Sequence, residues 1–210
     1  MKARLILFAR EPIPGKVKTR LASAIGNQAA SELYETMFRD TLKTARQLTN
    51  VEVIVFWACD EESLPLLAEK YQCSSRNQCE GDLGRRMQVA FEEMFAEGCG
   101  ACCIIGSDAP DLPLTYIQDA CQLLVSPQVD IVFGPSIDGG YYLLGMRQVW
   151  PQLFTNISWS SDEVLEQSLA AANLAGLAVA LLPKWQDIDT FEDLQAFQER
   201  TRLMPSREIT

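Results

Sequence analysis

Several stretches of this 210-residue sequence gather side chains able to hold or transform an anionic substrate. In AREPIPGKVKTRL, residues 9–21, Pro12, Pro14 and Gly15 make a rigid irregular loop that carries Arg10, Lys16, Lys18 and Arg20. Gly15 lets backbone amides approach an anion, and the cations can neutralise a di- or triphosphate. The loop is not a Walker A sequence, and a solvated basic turn is the competing reading. In IIGSDAPDLP, residues 104–113, Asp108 directly follows an apolar run and Asp111 comes three residues later. Hard cations such as Mg2+ or Mn2+ take oxygen ligands, commonly one or two protein carboxylates completed by substrate phosphates. Asp108 is therefore the candidate metal ligand, while Asp111 is assigned to a turn or to the cap of a helix starting near Pro113.

Further along, FGPSIDGGYYLLG at 133–145 places Asp138, Gly139 and Gly140 in a tight bend. It reads equally as a hairpin turn or as a loop presenting backbone amides and a carboxylate to a ligand. LLPKWQDIDTFEDL at 181–194 carries Asp187 and Asp189 in alternation along an extended segment, able to supply a second carboxylate to a metal. Asp189, Thr190 and Asp193 also read as a helix start. Gly81, Asp82 and Gly84 in QCEGDLGRRM open another helix, with glycines that permit close approach of a sugar or base. In NISWSSDEVL, residues 156–165, Ser160, Ser161, Asp162 and Glu163 read as a capping sequence unless Trp159 or Ser158 faces a cleft. The sequence contains no histidine, which excludes Ser-His-Asp and Cys-His nucleophilic sites, H-E-x-x-H zinc sites and imidazole acid–base catalysis. Chemistry here falls to carboxylates, Lys, Arg, hydroxyls or a hard metal ion.

Such side chains need a scaffold, and the apolar pattern predicts one. Buried parallel strands are expected at 4–9, 51–58, 101–106 and 129–134, with a further strand at 141–146. Helices are expected at 27–48, 62–71, 82–97, 113–124 and 161–175, so the order is β-α repeated and the class α/β. Ligands of open α/β sheets bind beyond the carboxyl ends of the strands, where the loops at 9–21 and 104–113 fall. With 48% hydrophobic and 22% charged residues and no linker-like tract, residues 1–200 read as a single domain and 201–210 as a C-terminal tail. The longest apolar run, Leu174–Leu182, is nine residues, too short to span a bilayer, and no secretory signal opens the sequence, so a cytoplasmic location is expected. A net charge of −10 repels nucleic acid, yet residues 1–20 carry six basic residues and one acid, which suits a small phosphorylated ligand. The seven cysteines are odd in number, which argues against a disulfide framework, and the lone Cys99-x-x-Cys102 precedes an apolar run, so that pair reads as buried small hydrophobes.

Taken in order, AREPIPGKVKTRL, EGDLGRRM, GSDAPDLP, FGPSIDGGYYLLG, NISWSSDEVL and DIDTFEDL resemble a bacterial family of nucleotide-diphospho-sugar transferases of glycosyltransferase A fold. This is the DUF2064 type, associated with arsenosugar biosynthesis and related to guanylyl- and cytidylyltransferases. The resemblance covers about residues 4–200. It implies a Rossmann-like three-layer fold with a mostly parallel mixed sheet, binding a nucleotide across its carboxyl edge. It further implies phosphates on the first loop, through Arg10, Gly15, Lys16 and Arg20, and Mg2+ or Mn2+ on Asp108 and Asp189. The Gly81–Asp82 loop corresponds to a nucleoside-contacting region and Asp138–Gly140 to an acceptor-side bend. Where typical glycosyltransferases of this fold carry D-x-D, this chain has Ser107-Asp108-Ala109. The reading that follows is a metal-dependent transferase moving a sugar from a nucleoside diphosphate to a small-molecule acceptor, with Asp108, Asp138 and Lys18 as catalytic candidates. Nucleotidyl transfer from an NTP with release of pyrophosphate is the alternative, and a noncatalytic nucleotide-binding protein is the third.

Overall fold

The computed structural model describes residues 3–203. Strands β1 (Ala3–Arg10), β2 (Val51–Ala58), β3 (Ser74–Asn77), β4 (Ala101–Ile105), β5 (Ile131–Pro135), β6 (Tyr141–Met146) and β7 (Val179–Leu181) form one sheet, ordered β3-β2-β1-β4-β6-β5-β7. Every pairing is parallel except those of β6 with β4 and β5. β6 runs backwards because Ile137–Gly140 is too short for a crossover and folds β5 into it as a hairpin. The mixed, mostly parallel α/β architecture is thus as expected. β3 was not anticipated: its sequence, SSRN, has no apolar run, and it is held at the sheet edge by pairing with β2 from Ile54↔Ser74 to Trp57↔Asn77.

Seven helices, α1 (Thr19–Ile25), α2 (Asn27–Ala45), α3 (Ser63–Tyr71), α4 (Leu83–Ala96), α5 (Leu114–Leu123), α6 (Val164–Leu174) and α7 (Phe191–Leu203), complete the described residues with a 3-10 turn at Pro151–Phe154. Helix α1 was not predicted; it is only two turns long and Gly26, at φ 87°, separates it from α2. Strand alternation sends Leu5, Leu7, Trp57, Cys103 and Ile105 to one face, under Phe38 and Leu42 of α2, Tyr71 of α3 and Ile117 of α5. Ile6, Phe56, Cys102, Ile104 and Leu144 go to the other, against Met87, Phe91 and Met94 of α4 and Ala172 of α6. The cysteines at 99, 102 and 103 are buried in these two cores. Helix α7 runs through Leu203, and the rest of the expected tail, residues 204–210, lies outside the described residues.

A third, smaller cluster does most to place the chemistry. Val17, Leu21, Tyr34, Met37, Ile188 and Leu194 pack together where α1, α2 and α7 meet beyond the sheet edge. Val17 and Ile188 are fully buried, and in extended or turn backbone the neighbours of an inward side chain point elsewhere. Anchoring Val17 therefore presents Lys16 and Lys18, and anchoring Ile188 presents Asp187 and Asp189.

Two local expectations need correction. Asp111 does not cap α5, whose N-cap is Pro113 without a side-chain bond; its carboxylate instead takes Arg200 Nε at 2.6 Å and Nη2 at 3.2 Å. The backbone of Asp111 does lie in a turn, as read. Before α6 the N-cap is Glu163, with no side-chain bond of its own, and Ser161 Oγ accepts from Glu163 N at 3.3 Å while donating to the Ser158 carbonyl at 2.7 Å, so the serine bonds the helix entry and not its first turn. By contrast, Thr190 and Asp193 make the predicted reciprocal start of α7, Asp193 N donating to Thr190 Oγ1 at 3.2 Å and Thr190 N to Asp193 Oδ2 at 2.8 Å.

Candidate functional site

β1 and β4 are neighbours and both end at the same edge, so the loops that follow them open side by side. Tyr34 of α2 ties those loops together: its buried hydroxyl accepts a hydrogen bond from Arg10 N at 2.8 Å and lies 2.8 Å from Ser107 Oγ. After β4 the backbone carbonyl of Asp108 accepts from Ile188 N at 2.9 Å. That one bond draws the segment before α7 across to the end of β4, although the residues are 80 apart in sequence.

The consequence is a charged cluster made from three distant parts of the chain. Lys18 Nζ stands 2.9 Å from Asp108 Oδ2 and 2.7 Å from Asp189 Oδ1, with its side chain only 5% exposed. Arg20 Nη1 approaches the other oxygen of Asp189 at 3.5 Å from the solvent side. Burial works against the Lys18 ammonium, but the charges of Asp108 and Asp189 outweigh it and hold the group above the usual lysine range. Asp187 faces the opposite balance: burial pushes its carboxyl up to about 7, and the negative charges of Asp108 and Asp138 push the same way.

Around this cluster lies an open cavity of about 720 Å³. Arg10, Lys16, Lys18 and Arg20 line it from the first loop, Gly81 and Asp82 from the start of α4, and Asp108, Asp187 and Asp189 from its floor. Gly15, Asp138, Gly139 and Gly140 are not in its wall. Asp138 is engaged in its own turn, accepting from Ser136 Oγ and from Gly140 N at 3.1 Å, which accounts for the hairpin reading of that bend. Asp82 caps α4, accepting from Arg85 N at 2.8 Å, and also borders the cavity.

Several lining residues escaped the sequence reading. Leu83, in the first turn of α4, is 44% exposed and lines the cavity beside Trp159. The indole of Trp159 lies so close over Gly84 that a Cβ at that position would overlap it, so glycine is what seats the ring. Trp159 thus does face the cleft, the condition under which the 156–165 loop would be more than a helix start. Gln78, at the end of β3, donates through Nε2 to the carbonyls of Ala9 and Phe56, at 3.1 and 2.8 Å, and borders the same space. Tyr34 sits on the buried face of α2, where a tyrosine needing a partner for its hydroxyl is the only sequence signal of its role.

Whether a metal suits these residues can be judged from the donor set. Among the described residues, no three His, Cys, Asp or Glu side chains converge as a complete metal cage. Two carboxylates, those of Asp108 and Asp189, do converge on one cation, the Lys18 ammonium. Two hard oxygen ligands, with phosphate oxygens completing the sphere, are a usual magnesium arrangement, so the residues fit.

The chain resembles several solved structures. A protein from Desulfovibrio desulfuricans G20, provisionally assigned as a nucleotide-diphospho-sugar transferase, superposes with TM-score 0.92 at 32% identity, over 99% of this chain and 90% of that one. CMP:2-keto-3-deoxy-manno-octonic acid synthetase complexed with CTP gives 0.62 at 14% identity, covering 96% and 99%. Glucosyl-3-phosphoglycerate synthase from Mycobacterium tuberculosis, in complex with Mn2+, UDP and glucosyl-3-phosphoglycerate, gives 0.56 at 11%, covering 94% and 76%. The last two likenesses are of fold alone. No curated protein matches the sequence significantly. The fold so defined is that of the nucleotide-diphospho-sugar transferases. Residues 41–161 match the model of the family described as "uncharacterized protein conserved in bacteria (DUF2064)", and the chain belongs to that family. Among the described residues no helix is long and apolar enough to cross a membrane.

Proposed function

We propose that this protein is a divalent-metal-dependent transferase that takes a sugar from a nucleoside diphosphate and passes it to a small-molecule acceptor. The observation that carries the reading is the meeting of Asp108 and Asp189 on a single cation at the carboxyl edge of the sheet, beside a loop with three further cations. Asp108 and Asp189 would hold Mg2+ or Mn2+, which when bound stabilises the charge of the departing nucleoside diphosphate. Arg10, Lys16 and Arg20 neutralise the remaining phosphate charge from the first loop. Asp82 and the backbone around Gly81 border the side of the cavity assigned to the nucleoside. For orientation of the acceptor hydroxyl, Asp187 is the better placed carboxylate, since it lines the cavity and Asp138 does not.

Purified protein incubated with UDP-, GDP-, ADP- and CDP-sugars and candidate acceptors should release a nucleoside diphosphate only with Mg2+ or Mn2+ present, and EDTA should stop it. Asp108→Ala should abolish release while leaving the fold intact; full activity of that variant would refute the assignment. Nucleotidyl transfer is favoured by one feature, the single Asp108 in place of D-x-D beside a loop rich enough in cations for a triphosphate. Release of pyrophosphate from an NTP, rather than nucleoside diphosphate from a nucleotide sugar, would select it. Metal-independent nucleotide binding without turnover of either substrate class would instead leave a noncatalytic binding protein.

A further inference from the structure

We propose that Lys18 is a resident counter-cation: its ammonium holds Asp108 and Asp189 in the metal-free protein and must release them before a divalent ion can take both. The inference rests on the reading of these two carboxylates as the metal ligands. The ion pairs, at 2.9 and 2.7 Å, are shielded on the lysine side, where the Lys18 side chain is 5% exposed, and open on the carboxylate side, where those of Asp108 and Asp189 are 33% and 43% exposed. The two carboxylate oxygens that already lie within bonding reach of a single cation, Asp108 Oδ2 and Asp189 Oδ1, are the ones that Lys18 holds.

The backbone points the same way. Lys18 lies in the left-handed region, at φ 46° and ψ 45°, a conformation sparsely populated by residues other than glycine. At the N-cap of α1 it makes no side-chain capping bond, and its side chain runs inward to the carboxylates instead. A divalent ion and the Lys18 ammonium on the same two oxygens would repel each other strongly. Once displaced, the ammonium has the cavity that Arg10 and Lys16 also line as its nearest open space. Lys18 is then a positioning residue in the metal-free protein and a further cation for an anionic ligand once the metal is in, so that metal and nucleotide favour each other's binding.

Mn2+ alone, without nucleotide, is the probe, with the free ion followed by electron paramagnetic resonance. Lys18→Met should bind Mn2+ at least tenfold more tightly than the wild type. It should also melt earlier in EDTA, with excess Mn2+ reversing the loss. Asp108→Asn separates the two readings. If it alone fails to bind Mn2+ while Lys18→Met binds no more tightly than the wild type, the counter-cation role is overturned and the metal reading stands. Absence of saturable binding in every protein, Lys18→Met included, removes both. Should Lys18→Met not fold, the ammonium nitrogen of Lys18 can be followed by 15N NMR in the wild type. Its resonance should shift on Mg2+ addition together with the Asp108 carboxyl carbon, and a shift of the carboxyl alone overturns the proposal.

Discussion

Tyr34, Asp138 and Asp187 show how a single position can be assigned only by what surrounds it. The Tyr34 hydroxyl is the shared partner of Arg10 N and Ser107 Oγ in a buried place. Tyr34→Phe should therefore cost about 1–3 kcal/mol, because it leaves a buried amide and a hydroxyl without their partner. Chemical denaturation would measure this. Asp138 satisfies its own turn, and Asp187 faces the cavity. Asp138→Asn should then keep turnover within a few-fold of the wild type, whereas Asp187→Asn should lose most of it at unchanged fold; equal losses would return the acceptor-side role to Asp138. Asp138, Asp187 and Asp189 were all visible in the sequence as acids in turn-like or extended segments. Which of them shares a wall with Asp108 was not visible, because a carboxylate next to a turn signal looks the same whether it closes the turn or faces a ligand.

Elements position these groups through buried anchors more than through the charged residues themselves. Ile188 is fully buried in the small cluster with Val17, Leu21 and Tyr34, and its amide holds the carbonyl of Asp108. Truncating it to Ala should destabilise the protein by about 2–5 kcal/mol. It should also lower turnover further than a comparably destabilising truncation remote from the site, such as Phe91→Ala in the opposite core. Equal activity in the two variants, compared at a temperature where both are folded, would deny Ile188 its positioning role. The amphipathic helices were legible from their spacing, and β1, β2 and β4 from uninterrupted apolar runs. Strand β3 was not, since four polar residues become a strand only when Ile54–Trp57 offers them an edge to pair with. Leu83 is a related case: apolar periodicity continues into α4's first turn, where the face turned inward meets the cavity and not the core.

Across the whole molecule, net charge −10 is countered locally by ion pairs that bridge layers. Arg4, buried in β1, reaches Glu52 Oε2 at 3.0 Å on β2 and Glu97 Oε2 at 2.6 Å after α4, and Arg76 of β3 takes the other Glu97 oxygen at 2.6 Å. Hydrogen bonds from Arg76 and then Arg4 hold the Glu97 carboxyl below its ordinary range. A carboxyl with a lowered folded pKa contributes stability above its unfolded pKa, about 4.3, and that contribution is lost as the pH falls through the folded value. Glu97→Gln should therefore melt earlier than the wild type at pH 7, and the gap should close as the pH drops below about 4. A gap independent of pH would show that the pair contributes nothing through Glu97's charge. Arg4 itself was unremarkable in the sequence, a basic residue at the start of an apolar run, and only its burial beneath α4 makes its two acids necessary.

Read alone, the sequence determined the class of the fold, the edge of the sheet where a ligand would sit, and the chemical types available there. Apolar runs and helical spacing are local properties, and the loops after strands inherit their place from them. The absence of histidine and the concentration of cations at the first loop likewise needed no coordinates. Tertiary structure alone decided that Lys18, Asp108 and Asp189 meet within 3 Å, that Asp138 stays in its turn, and that Trp159 reaches the cavity over Gly84. Those outcomes depend on contacts between segments tens to more than a hundred residues apart, set by the burial of Val17 and Ile188 and by the single backbone bond from Ile188 to Asp108. Side-chain periodicity carries no record of which distant surfaces will be pressed together, because that is selected by the free energy of closing the whole core.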